Sequence, residues 1–338
     1  MRKIKLTALL ILMSLLINSN LASASLNGSI DYSNPRVVPF LTSINSESTA
    51  GSGFLYSPRL VFTSAHLAYG FDKEGNKIPL VRENYAGTPN TKVTSSSPRV
   101  KVIKQFVAPT YRYNEMGALD DFAIFVLEKD LIQIQPAQLM TSSIYEELVS
   151  NNAKVSLFGF GHFKDGCSDN QSPPCKMPFE SSNEPRSLVA TLHKMEEFQN
   201  LVGYTRKEFE NELLFFTPGK NSMCNGDSGG ALTSTYNGNL MYLSNIGTAF
   251  RIYACGQSNY DGKGGINYSA PIFRFTELIK EAEKFVKDQI ENEKAKVLPS
   301  VETKKTTNSK ITITCIKKGV SKKITGLKPV CPKGFKKY

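Results

Sequence analysis

Between Ser25 and about Phe275, apolar residues come in short runs rich in β-branched and aromatic side chains. The runs Val37 to Ile44, Gly53 to Tyr56, Leu60 to Thr63, Val100 to Phe106, Phe122 to Leu127, Val155 to Phe160, Ala231 to Thr235, Leu240 to Ala249 and Gly265 to Ser269 read as strands. Turn signals break them up: Ser57-Pro58-Arg59, Glu74-Gly75-Asn76, Asn237-Gly238-Asn239 and Asp261-Gly262. A parallel sheet needs helices alternating with its strands, and no such alternation is visible. The pattern predicts an all-β domain, an antiparallel barrel or sandwich.

The period changes at Thr276. Leu278, Ile279, Ala282, Phe285, Val286 and Ile290 recur at steps of three and four among lysines and glutamates, which predicts an amphipathic helix to about Lys294. Its apolar stripe is expected to pack on the β-domain. Residues 298–310 then read as a linker, and 311–338 as a compact module. In that module Ile311 to Cys315 alternates like a strand, Lys322 to Thr325 like a second, and Cys331 closes back. At the other end, Arg2, Lys3 and Lys5 precede an apolar run from Leu6 to Ile17 and a small-x-small site, Ala22-Ser23-Ala24. These are the parts of an export signal over residues 1–24, with a mature chain beginning near Ser25. The apolar run is shorter than the roughly 20 residues of a spanning helix, so a secreted, extracellular or periplasmic protein is expected rather than an anchored one. Residues 25–297 are left as the main domain.

Charge sharpens the division. The chain carries a net +11, but eleven lysines against the single acid Glu302 lie between Pro299 and Tyr338. The body, with 27 basic and 29 acidic residues, is slightly acidic. Nucleic-acid binding by the main domain therefore has no compositional support. The tail suits anionic cell-surface polymers, with a strong dependence on salt; a solvated stalk is the plainer alternative. Six cysteines fit an oxidising compartment, and with no CxxC pair and no histidine beside them a metal site is not expected. No cofactor is called for, and a monomer is expected.

The chemistry-bearing residues are few. A serine hydroxyl is protonated at neutral pH, so as a nucleophile it needs a base within hydrogen-bond reach and a third group to orient that base. Ser228 lies in the glycine-rich turn Asn225-Gly226-Asp227-Ser228-Gly229-Gly230. Of the three histidines, His66 follows the apolar strand Leu60-Val61-Phe62-Thr63, which can deliver it rigidly to a cleft. His162 and His193 read as surface or packing residues. Asp121 enters the buried-strand pattern Phe122 to Leu127 and is the favoured orienting acid, with Asp120 beside it as the alternative. The N–H groups of Gly226 and Ser228 are candidate donors for an oxyanion.

The order His66, Asp121, Ser228 resembles the trypsin/chymotrypsin-like serine proteases. So do Thr63-Ser64-Ala65-His66, Phe158-Gly159-Phe160-Gly161 and Cys224-Asn225-Gly226-Asp227-Ser228-Gly229-Gly230. The resemblance covers roughly Ser25 to Ala295. It implies two six-stranded antiparallel barrels with the catalytic residues in the crevice between them, a C-terminal helix, and a protein or peptide substrate. It also implies a pocket formed by Ser222, Thr248 and Gly265, and a role for Asp227 as the partner of a new amino terminus. Proximity and the family pattern together suggest the disulfides Cys167–Cys175, Cys224–Cys255 and Cys315–Cys331. The basic tail resembles a lysine-rich module attached to various secreted bacterial proteins.

Three departures stand out. Leu67 and Gly51 occupy the positions where the family places a disulfide beside the base. Ser25-Leu26-Asn27-Gly28 stands where an Ile-Val-Gly-Gly terminus is expected, so signal cleavage itself is a candidate activating step. Ser222 replaces the aspartate of trypsin-like members, which disfavours strict recognition of basic side chains; it resembles the chymotrypsin-type pocket floor, although Phe250 on the wall segment is a candidate for narrowing the pocket. The expected function is a secreted serine endopeptidase. The alternatives are a catalytically silent homologue acting as a surface-binding protein, and an esterase of related chemistry. The double glycine after Ser228 and the barrel texture disfavour the esterase.

Overall fold

Strands buried on both faces lose the polar alternation of a half-exposed sheet and read as unbroken apolar runs. That is the situation of β1 (Val37–Leu41), β2 (Gly51–Ser57), β3 (Leu60–Thr63) and β6 (Ala123–Leu127), whose residues are almost all buried. With β4 (Tyr85–Gly87) and β5 (Arg99–Val107) they form a closed antiparallel barrel in the order β6-β3-β2-β1-β4-β5, with β5 returning to β6. The barrel is seen in a computed structural model that describes residues 28–47, 49–72, 75–80, 82–114, 117–161, 182–202, 212–217, 221, 223–249, 266–297 and 310–338. The export signal, Ser25, His162, Cys167, Cys175, Ser222, Phe250, Cys255, Gly265 and linker residues 298–309 lie outside the described residues.

The second half is a nine-stranded sheet. Its strands are β7 (Gln138–Leu139), β8 (Lys154–Gly159), β9 (Arg186–His193), β10 (Leu213–Phe216), β11 (Ala231–Tyr236), β12 (Asn239–Asn245), β13 (Thr248–Ala249) and β14 (Ile266–Ser269), in the order β7-β12-β11-β8-β9-β10-β14-β13. Ser29–Ile30 adds to it beside β9. The expected second closed barrel is not shown among the described residues. Among the described residues the sheet ends in two strands of two residues each, one of them, β7, parallel to its neighbour β12.

Aromatic side chains join the two halves. Phe62 faces Tyr242 with ring centroids 5.3 Å apart, Phe54 lies 4.5 Å from Tyr242, and Phe122 stacks on Phe275 at 4.5 Å. Offset and tilted rings at such spacings add about 0.5–1.5 kcal/mol per pair beyond the area they bury.

Two helices interrupt the β pattern that the sequence predicts to be helix-free. One is α1 (Ser142–Ser150), where Thr141 Oγ1 caps the helix by accepting from the N–H of Ile144 at 3.4 Å. The other is α2 (Met195–Val202), with Glu196 and Glu197 in its first turn, where the helix dipole favours acids. The C-terminal helix α3 spans Thr276–Val297. It buries Ile279 and Ala282, and Tyr56 Oη donates to Glu283 at 2.8 Å.

The chain divides into two compact units, Met1–Val286 and Lys287–Tyr338. The second contains a three-stranded sheet of β15 (Ile311–Lys317), β16 (Val320–Gly326) and β17 (Lys336–Lys337), clipped by the Cys315–Cys331 disulfide. Among the described residues no helix is long and apolar enough to cross a membrane.

Candidate active site

Strand register brings His66 and Asp121 together. In the β3–β6 pair Ala123 stands opposite Thr63, so the residues just before β6 meet those just after β3. His66 sits there in a single 3-10 turn, Ala65–Leu67, and Asp121 reaches it with both oxygens. Oδ1 accepts from the His66 backbone N–H at 2.9 Å, and Oδ2 lies 2.6 Å from Nδ1. With Oδ2 as acceptor, Nδ1 carries the proton of the neutral ring and Nε2 is left as the basic nitrogen. The acid is held in turn: its side chain is 4% exposed, and Asn245 Nδ2 donates to its carbonyl oxygen at 2.8 Å.

The electrostatics favour an imidazolium. Burial alone would lower the His66 pKa, and Arg82 pushes the same way; the charge and hydrogen bond of Asp121 outweigh both, leaving it raised. The ring remains 33% exposed, open to an incoming group.

The turn carrying Ser228 is pinned from three sides. Gly229 N donates to Ile246 O at 2.7 Å, Ser52 N to Ser228 O at 2.8 Å, and Gly230 N to Asp227 O at 2.8 Å. Gly229, at φ +82°, leaves no room for a side chain. A Cβ there would collide with Thr63 Oγ1 and Ser52 O and stand 3.0 Å from Ser64 N. The turn of Ser228 therefore abuts the segment two and three residues before His66. Gly226 is also left-handed, at φ +92°, and its carbonyl accepts from Ser52 Oγ at 2.7 Å. That bond ties down the turn whose Gly226 and Ser228 N–H groups are the candidate anion donors.

Asp227, fully buried, accepts from Gly161 N and Cys224 N, each at 2.9 Å. A Cβ at Gly159 or Gly161 would run into its carboxylate, which is why both of these positions lack a side chain. Arg186, buried and paired across the strands with Gly159, feels the charges of Glu184 and Asp227 against the lowering effect of its own burial. The amino-terminal partner expected for Asp227 lies outside the described residues.

Other expected positions divide. Leu67 packs on Gly51, where a Cβ would stand 2.6 Å from Leu67 Cδ1, so an apolar contact fills the place of the absent bridge. Cys224 is in a disulfide, but Cys255 is outside the described residues, as are Ser222 and Gly265 of the pocket. Thr248 is placed in β13 opposite Tyr268. His193 lies away from this site: its Nδ1 pairs with Glu197 and its ring stacks on Phe216 at 4.2 Å.

Three residues that the sequence reading did not single out organise the site. Ser52 Oγ bridges Phe160 N and Gly226 O, Asn245 links Ser64 Oγ to Asp121 O, and Ser64 Oγ donates to Ile246 O at 2.9 Å. All three are buried polar residues inside or beside apolar runs, and such groups persist only where they are hydrogen-bonded. That was the available signal. The family model described as Trypsin matches residues 28–279, and no curated protein matches the chain.

Proposed function

The chain belongs to the trypsin family, and we propose that it is a secreted serine endopeptidase using Ser228, His66 and Asp121. The family supports a serine protease-like function. The observation that carries the finer reading is the two-point grip of Asp121 on His66, through the backbone N–H at 2.9 Å and Nδ1 at 2.6 Å.

In this reading Ser228 Oγ attacks the scissile carbonyl carbon while His66 Nε2 takes its proton. The carbonyl oxygen becomes an oxyanion facing the N–H groups of Gly226 and Ser228. His66 then returns the proton to the departing amine, leaving an acyl-enzyme that water hydrolyses by the same proton transfers in reverse order. Asp121 keeps the ring in the tautomer with Nε2 free and stabilises the imidazolium formed along the way. A lost oxyanion donor costs about 2.7–4 kcal/mol of transition-state stabilisation.

The test is fluorophosphonate labelling of the secreted protein and of Ser228→Ala. Labelling confined to the wild type is expected; labelling that persists in the variant removes Ser228 from this role, and none in either favours the catalytically silent homologue. Amino-terminal sequencing of the secreted form, expected to begin at Ser25, tests export and direct activation together. A start well downstream would point to a separate propeptide.

The basic module is read as a contact for anionic cell-surface polymers. It carries nine lysines and no acid over residues 310–338, and Lys317 and Lys322 place their ammonium groups 5.9 and 5.7 Å from the Phe335 ring centroid. Retention of the full chain on a polyphosphate resin should fall steeply with salt and with charge removal at Lys317, Lys322 and Lys323. Retention unchanged by those substitutions would return the module to the role of a solvated stalk.

A further inference from the structure

Asp120 is as deeply buried as the acid that follows it, and it faces the other way. Its backbone takes the left-handed conformation, φ +51°, which few side-chain-bearing residues enter and which Asp and Asn enter most readily. Consecutive carboxylates thereby point to opposite sides of the chain, Asp121 to His66 and Asp120 into a cluster drawn from three separate segments. Arg274, in the turn before α3, brings Nη1 to 2.7 Å from Asp120 Oδ1 and to 3.5 Å from Glu212 Oε1. Arg112 reaches Asp120 Oδ2 at 3.3 Å, and Glu212 Oε1 accepts from the Asp120 backbone N–H at 3.4 Å. Glu212 stands just before β10 and is 3% exposed; Asp120 is 1% exposed by residue; Arg274 keeps 26% of its side chain in solvent.

These contacts answer a mechanical question. Asp121 stands at the entry to β6, in the closed barrel, one residue before the ladder of that strand begins to fix the chain. Asn245 fixes the Asp121 carbonyl from β12, while Glu212 and Arg274 fix Asp120 from the residue before β10 and the turn before α3. These three holds come from the second half of the protein, and Arg112 adds one to Asp120 from the first.

We propose that Arg274 and Glu212 form a positioning clamp. By gripping Asp120 they lock its left-handed backbone and so set the angle at which Asp121 meets His66. The inference rests on the protease reading for its catalytic consequence, but not for its structural one. Burial and the neighbouring charge of Asp120 raise the Glu212 pKa to about 7 against the opposing pull of Arg274 and Arg112, so Arg274 is shared between two acids rather than committed to one. Arg274 and Glu212 are positioning residues, since neither touches His66.

Two readouts test the clamp in the full-length protein: the rate of fluorophosphonate labelling, and the titration of the His66 ring by NMR, assigned with single variants of the three histidines. Displacing a catalytic group by about 1 Å costs roughly 10²-fold, so Arg274→Met should label about that much more slowly. The His66 pKa should fall at the same time, because the Asp121 contact that raises it is loosened while the burial that lowers it persists. Arg274→Lys should recover part of both. If Arg274→Met fails to fold, Asp120→Asn carries the same two measurements, since asparagine tolerates the left-handed conformation and only the charge grip is lost.

Labelling at the wild-type rate with an unmoved His66 titration, in either folded variant, would overturn the clamp. Wild-type protein that never labels would sink the protease reading alone; the His66 titration would still decide the clamp.

Discussion

Asp120 and Asp121 are adjacent in sequence and almost equally buried, yet their surroundings have opposite character. Asp121 has aligned donors: a backbone N–H on one oxygen and the Nδ1 of His66 on the other. Asp120 is less well aligned: Arg112 Nη1 donates to its Oδ2 only at 3.3 Å. Arg274 comes within 2.7 Å of its Oδ1, but that atom makes no hydrogen bond. Glu212 crowds the same cation, and the backbone is held left-handed. Burial by itself therefore says nothing of an acid's role. An aligned acid can hold a proton at a chosen atom; a crowded one can store charge and fix a backbone.

The comparison is broken most severely by neutralising the aligned acid. Asp121→Asn keeps the shape but turns a donor toward Nδ1, favouring the tautomer that leaves Nε2 protonated. By analogy with such a change in a known triad, labelling or hydrolysis should drop about 10⁴-fold. The corresponding Asp120→Asn change should act through position alone, at about 10²-fold. Parallel rate measurements on the two variants check the contrast. Equal losses would mean that the neighbouring acids act as one unit.

The crowded cluster should declare itself in stability rather than rate. Glu212 faces Asp120, Arg274 and Arg112, and its charge is felt by Tyr145 of α1, which also feels Glu196 of α2. The folded protein keeps the Glu212 proton to about pH 7, whereas the unfolded chain releases it near the ordinary glutamate value of 4.5. The unfolded state thus binds fewer protons across that window, and stability falls as pH rises from about 4.5 to 7. Glu212→Gln removes this contribution. Its stability relative to wild type should climb across the same window by up to about 3 kcal/mol, the worth of a shift of this size. Chemical denaturation from pH 4 to 8 measures it; parallel curves for the two proteins would contradict it.

Much of this was legible in the chain. Doubly buried strands left apolar runs at Leu60 to Thr63 and Phe122 to Leu127, and the residues at their ends, His66 and Asp121, are those the register joins. The helix from Thr276 announced itself by its period. What escaped has physical reasons. In β9 the inward residues include Ala190 as well as Leu188 and Leu192, and exposed Val189 blurs the alternation, so its signal is faint. The nine residues of α1 are too few for a period to outweigh their serines, and the helix depends on the Thr141 cap. Ser52, Ser64, Asn245 and the Arg274–Glu212 pair act through contacts between segments far apart in sequence, and no local pattern encodes such a meeting.

The smallest expected effect is also the most selective. Arg82 anchors itself by donating from Nη2 to Leu67 O at 2.9 Å, and its positive charge lowers the His66 pKa against the pull of Asp121. Arg82→Gln keeps a side chain able to donate near Leu67 but removes the charge, so the His66 imidazolium should persist to higher pH. The acid limb of the labelling profile should move upward while the plateau at high pH, where the ring is neutral in both proteins, stays level. A fall in the plateau would show that Arg82 shapes the site through the Leu67 carbonyl rather than through its field. His66 would then answer to two mechanical supports, one on each side, and the electrostatic contrast between the two acids would account for only part of its behaviour.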